Sequence, residues 1–118
     1  MSQPALFIDG SWRAGDGREE IDVVDPATEA VVARLPVARR ADLDDALAAA
    51  SRSFPQWAQR AALQRAAILH AAAALLRGRV AEVARDLSIE QGKPLAEAEG
   101  EVANAADIID WYAEEGRR

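Results

Sequence analysis

Val31-Val32-Ala33-Arg34-Leu35-Pro36 gives way to Val37-Ala38-Arg39-Arg40-Ala41-Asp42-Leu43-Asp44-Asp45-Ala46-Leu47, and the chain changes texture across that junction. The first run is short, β-branched at its start and closed by proline, as a strand is. The second repeats apolar residues at three- and four-residue spacing, with Asp42, Asp44 and Asp45 near the positive end of a helix dipole. The junction predicts an α+β chain, an N-terminal antiparallel β-hairpin region over about 6–36 followed by four mainly amphipathic helices. It also sets two regions, residues 1–37 and residues 38–118.

Upstream of the junction the strand candidates alternate with turn signals. Leu6–Asp9 is followed by Gly10-Ser11, then Trp12-Arg13, then the turn-rich Ala14-Gly15-Asp16-Gly17. Ile21, Val23 and Val24 come next, and Asp25-Pro26-Ala27-Thr28 reads as a turn, with proline fixing φ at its second position. Downstream, Leu43, Ala46, Leu47, Ala50, Phe54 and Trp57 line one helix face, which Pro55 is expected to end or kink near Ser53. A second helix is expected from Ala61 to Arg77, with Gly78 as its left-handed terminal residue. Val80, Val83, Ala84 and Leu87 mark a third, stopped by Gly92. Pro94 opens the fourth, whose seam of Leu95, Ala98, Val102, Ala105, Ile109 and Tyr112 steps 3-4-3-4-3. Ile108 and Trp111 add a second apolar stripe to it, and a helix apolar on two sides expects neighbours on both.

Composition excludes several kinds of chemistry. The 118 residues carry 14 Lys+Arg against 20 Asp+Glu, a net charge of −6, which argues against a nucleic-acid or anionic-membrane surface. With no cysteine, the chain has no thiolate nucleophile, disulfide or thiolate-bound metal of its own. Its single histidine, His70, cannot form a histidine dyad and reads as a side chain at a core edge or facing solvent rather than as a general base. Gly15-Asp16-Gly17 lacks the strand-before, helix-after setting of a phosphate loop and reads as a turn. Glu97, Glu99 and Glu101 are two residues apart and so do not converge on one helix face; with Asp107 and Asp110 they read as solvated rather than metal-binding. Lys93, the only lysine, reads as a loop residue, and the three tryptophans, Trp12, Trp57 and Trp111, as packing anchors. Neither a leader segment nor a membrane span is legible, so a cytoplasmic protein is expected.

Three features point to an object that needs a partner: the doubly apolar fourth helix, the few strands, and a helix end at Gly116-Arg117-Arg118 from which nothing returns. Two or three strands alone are marginal.

Taken in order, LFIDGSWR (6–13), DVVDPATEAVVARLPVA (22–38), Ser53-Phe54-Pro55-Gln56-Trp57, IEQGKPLAEAEGEV (89–102) and DWYAEEGRR (110–118) resemble the N-terminal stretch of the aldehyde dehydrogenase superfamily. Gly92–Ala98 and Trp111–Glu115 look closest to its succinate-semialdehyde dehydrogenase branch. The resemblance implies a much longer enzyme that oxidises an aldehyde to a carboxylic acid with NAD or NADP. In that family a cysteine thiolate attacks the aldehyde, hydride passes to the nucleotide, and a glutamate-activated water releases the acid. The catalytic cysteine and glutamate and the glycine-rich nucleotide loop have no counterpart in this chain. It is therefore expected to bind no NAD(P) by itself, to be inactive alone, and to lack the complete nucleotide-binding sheet on which residues 38–118 would pack.

The resemblance also carries over a few positions. Gly100, Asn104, Ile108 and Trp111 would line the substrate entrance tunnel. Glu90 with the carbonyl of Val24 would hold a structural monovalent cation. Implied partners are a small aldehyde and the remainder of the enzyme, or self-association through exposed apolar helix faces. The competing reading is a non-enzymatic helical protein-interaction module; a structural protein that self-associates along the fourth helix is a third.

Overall fold

Asp9-Gly10 closes the first hairpin because both residues adopt positive φ, 53° and 76°. That conformation suits a two-residue connection between right-twisted strands, and Asp-Gly is among the pairs that adopt it most readily. A computed structural model describes residues 5–14 and 17–118. In it β1 (Leu6–Ile8) pairs antiparallel with β2 (Ser11–Arg13), Ile8 opposite Ser11 and Leu6 opposite Arg13. The second hairpin joins β3 (Glu20–Val24) to β4 (Val31–Pro36), antiparallel, with a bulge at Val23/Val24. Its turn is held by Asp25, whose Oδ1 accepts from the Ala27 N–H at 2.8 Å and whose carbonyl accepts from the Glu29 N–H at 2.8 Å. Gly15 and Asp16, part of the first sequence turn, lie outside the described residues.

Four helices follow: α1 (Arg40–Gln59), α2 (Ala62–Gly78), α3 (Val80–Gln91) and α4 (Leu95–Glu115). Two expected helix ends need correction. Pro55 neither ends nor displaces the end of α1, which continues to Gln59; proline costs one backbone hydrogen bond there, only a turn before the helix stops. Gly78 is the last helical residue of α2 rather than a left-handed cap, and the break before α3 is the single residue Arg79 at φ −117°, ψ 13°. Gly92 does take the left-handed conformation at φ 69°, donating its N–H to the Ser88 carbonyl at 2.8 Å. Ser88 Oγ then donates to the Lys93 carbonyl at 2.7 Å, which fixes the short link into α4.

Packing divides the chain into two compact units, Met1–Ala58 and Gln59–Arg118. The expected boundary at residue 37 follows the switch from strand to helix; the packing boundary falls at the last residue of α1, between Ala58 and Gln59. Asp42 gives the reason, since the arginines that grip it come from the hairpin region.

In the second unit α4 packs on both α2 and α3. Ala84, Ala98 and Val102 are buried together, with Leu76, Val80, Val83 and Leu87 against them. The α4 residues that go inside are Ala98, Val102, Ala106 and Ala113, so the expected seam is right at its centre and wrong at its ends. Leu95 and Tyr112 are exposed. A strict heptad drifts by about 20° every seven residues on a straight helix, which carries the ends of such a seam off the contact face. No large side chain is fully buried among the described residues, and the core is mostly alanine.

Candidate functional site

The outward face of α4 follows from the inward one. With Ala98, Val102, Ala106 and Ala113 turned in, Gly100, Asn104, Ile108 and Trp111 all lie exposed, one face at three- and four-residue spacing. Ile108 and Trp111 expose 47% and 57% of their surface, and Trp111 stands edge-on to Tyr112 with ring centroids 4.8 Å apart. A methyl group added at Gly100 would meet nothing within 4 Å. The face is open, apolar at one end and polar only at Asn104.

The tryptophans are not core anchors within this chain. Trp12 is 72% exposed and stands against Phe7, at 4.7 Å between ring centroids; Trp57 is also exposed. Leu43, Leu47 and Phe54 of α1 are exposed as well, although their spacing reads as a buried stripe. Each marks apolar surface left exposed among the described residues.

The two positions named for a cation fall in different units. Val24 ends β3 in the first, and Glu90 lies on α3 in the second, exposed and without an ion-pair partner among the described residues. Among the described residues no cluster of three or more His, Asp or Glu side chains is arranged to hold a metal. The glutamates of α4 do not converge: Glu101 pairs with Lys93, while Asp107 and Asp110 face Arg77 at 2.6 Å each. Lys93 is thus an ion-paired link residue.

Two charged clusters escaped the sequence reading. The first surrounds Asp42, the one buried charged residue among those described. Its Oδ2 accepts from the Arg39 backbone N–H at 2.8 Å, capping α1. Arg18 grips the same carboxylate with both terminal nitrogens, and Arg13 reaches Asp42 at 3.4 Å and Asp45 at 2.7 Å. The Arg18 guanidinium, followed by the Arg39 N–H, holds the Asp42 carboxyl far below the usual carboxylate range. An aspartate three residues past a helix-capping position was the available signal.

The second cluster centres on His70 of α2, bonded to Asp110 and Glu114 of α4. Hydrogen bonds from Asp110 and then Glu114 push the imidazole above its ordinary value, and His70 in turn lowers both carboxyls. This fits a histidine bonded at the edge of a core. His70 meets Asp110 and Glu114 while Arg77 meets Asp107 and Asp110, so α2 and α4 run antiparallel.

Comparison with known proteins gives this geometry its context. The 3-sulfolactaldehyde dehydrogenase of Pseudomonas putida is 42% identical over 112 residues, 95% of this chain but 23% of the relative. The NADP-dependent succinate-semialdehyde dehydrogenase of Escherichia coli is 40% identical over 116 residues, 98% of this chain and 24% of the relative. Lactaldehyde dehydrogenase from Escherichia coli superposes with a TM-score of 0.94 at 41% identity, over 98% of this chain and 24% of that structure. The chain thus spans about a quarter of the length of the curated relatives it matches. The aldehyde dehydrogenase family matches residues 12–118, and to that family the chain belongs.

Proposed function

We propose that this chain is the N-terminal part of an NAD(P)-dependent aldehyde dehydrogenase, a scaffold whose reactive groups lie in the rest of the enzyme. The observation that carries the reading is the family match across residues 12–118 in a chain with no cysteine. The strands described form two antiparallel hairpins, which do not fit a dinucleotide. Such a ligand sits at the carboxyl ends of parallel strands beside a helix N-terminus. No step through NAD or NADP is therefore assigned to these residues, and the choice between the two nucleotides belongs to the remainder.

The substrate proposed is a small aldehyde with a second, anionic group, succinate semialdehyde being the candidate. Two of the relatives named above act on such aldehydes, one a sulfonate and one a carboxylate. On α4, Gly100, Asn104, Ile108 and Trp111 form a wall of the path by which it enters. Glycine inside a helix costs about 0.5–1 kcal/mol relative to alanine, and the open space over Gly100 supports a face kept clear for something else. Glu90 and the Val24 carbonyl remain the proposed monovalent-cation ligands, completed by other parts of the enzyme. The uncovered apolar side chains of α1 and α4 are the surfaces that the remainder covers; without it they are where the chain self-associates. No described helix is long and apolar enough to cross a membrane, and a cytoplasmic enzyme is the location proposed.

The test is a chimera in which this chain replaces the matching segment of the Escherichia coli lactaldehyde dehydrogenase, followed by NAD(P)H formation. The chimera should turn over. Within it, Asn104→Leu and Ile108→Ala should change KM between short and long aldehydes by roughly 10-fold, the scale of one or two methylenes in an apolar site. A folded but silent chimera would favour the interaction-module reading. Unchanged kinetics across aldehyde lengths would remove the α4 face from the substrate path.

A further inference from the structure

Both ring nitrogens of His70 face carboxylate oxygens on α4: Nδ1 lies 2.6 Å from Asp110 Oδ1 and Nε2 2.9 Å from Glu114 Oε1. An ionised carboxylate only accepts hydrogen bonds, and a neutral imidazole carries a single N–H. Satisfying both contacts at once requires the doubly protonated ring. We propose that His70 is an imidazolium clamp holding α2 to the C-terminal end of α4, and that loss of its proton releases that end.

The surrounding charges fit the clamp. From α2, Arg77 donates to Asp107 and Asp110, each at 2.6 Å. Just beyond α4, Arg117 donates to both oxygens of Glu114, at 3.1 and 2.8 Å. From α3 no charged side chain bonds to any of these groups among the described residues. Protonated, His70 joins Arg77 and Arg117 against Asp107, Asp110 and Glu114, and the cluster is neutral. Deprotonated, it leaves an excess negative charge on the last turns of α4, the negative end of the helix dipole, where a cation is favoured. The inference does not depend on the substrate-path reading, because it concerns only how α2 and α4 are joined.

The pH dependence has a definite sign. The folded His70 is held above its unfolded value of about 6.5. The clamp therefore contributes fully below about pH 6.5 and is lost as pH rises through the higher, folded value. At the acid end it is lost as pH falls through the lowered values of Asp110 and Glu114, starting near about pH 4.

His70 is the only histidine, so imidazole NMR of the 118-residue chain reports this residue alone. Its titration midpoint should lie above that of the same sample in urea. At about pH 6 both ring nitrogens should carry protons, as judged by their 15N shifts. Asp110→Asn and Glu114→Gln should each move the midpoint back toward the urea value. Amide protection over residues 110–115, corrected for intrinsic exchange, should fall between about pH 6 and about pH 9, and stay level in His70→Gln. Equal midpoints with and without urea, or a midpoint that neither carboxylate variant moves, would overturn the clamp. Level protection in the unsubstituted chain would overturn the release.

Discussion

Replacing Ala106 with leucine should lower the melting temperature of the second unit by roughly 10–20 °C. Ala106 on α4 and Ala73 on α2 have no exposed surface, and Ala66 and Ala113, seven residues away on the same helices, are almost as buried. Alanine at these positions lets helices approach closely, since interaxial distance is set by the side chains at the contact. A leucine would place three extra carbon atoms where there is no free volume, and overpacking of this kind costs about 1–3 kcal/mol. A unit without one large fully buried side chain has little stability in reserve. Ala73→Leu should behave alike. Ala103→Leu, on the exposed face of α4, is the control and should leave the transition nearly unmoved. Thermal melts followed by circular dichroism decide it; a fully tolerated leucine at 73 and at 106 would mean the helices do not pack through these alanines.

The second large effect belongs to Asp42. Its carboxylate caps α1 through the Arg39 N–H and neutralises Arg18, whose side chain is itself largely buried. Removing one partner of such a group leaves the other charged and unmatched, which costs far more than the pair contributes. Asp42→Ala should lower the melting temperature of the first unit by roughly 5–10 °C. Asp45→Ala removes the shorter of the two Arg13 contacts but at an exposed site, and should cost little. The pH dependence follows from the depressed folded value of Asp42. The stabilisation is complete above about pH 4, the unfolded range of aspartate, and is lost as pH falls below it. Asp42→Asn should flatten that acid limb. Parallel acid titrations of the two proteins would contradict the assignment if their limbs coincided.

Local chemistry made much of the fold legible. Gly10 and Gly92 announce a turn and a helix end because glycine takes positive φ readily, and Pro26 announces a turn because its ring fixes φ. The first turn nevertheless falls one residue earlier than expected, at Asp9-Gly10 rather than Gly10-Ser11, with β1 stopping at Ile8. Long helices were legible from spacing. Which face of a helix is covered was less so, because it depends on neighbours that spacing does not name. Leu43, Leu47 and Phe54 make a good apolar stripe yet stay exposed among the described residues, and Tyr112 drifts off a seam that Ala113 occupies. The buried charge of Asp42 was hidden in a run of three aspartates: Asp45 also meets Arg13, but only Asp42 is buried and only it meets both Arg13 and Arg18. His70, Asp110 and Glu114 are separated by 40 and 44 residues, and nothing local signals their meeting. The proposed α4 face was legible only through family resemblance; its spacing alone describes any helix surface.

The central claim is that these residues are scaffold and that the chemistry lies elsewhere. Its most direct test is an absorbance assay at 340 nm of the purified 118-residue chain with succinate semialdehyde and, in turn, NAD and NADP. A flat trace is expected with either nucleotide, because the chain has no thiolate to attack the aldehyde. Sustained NAD(P)H formation, proportional to the amount of chain added, would contradict it.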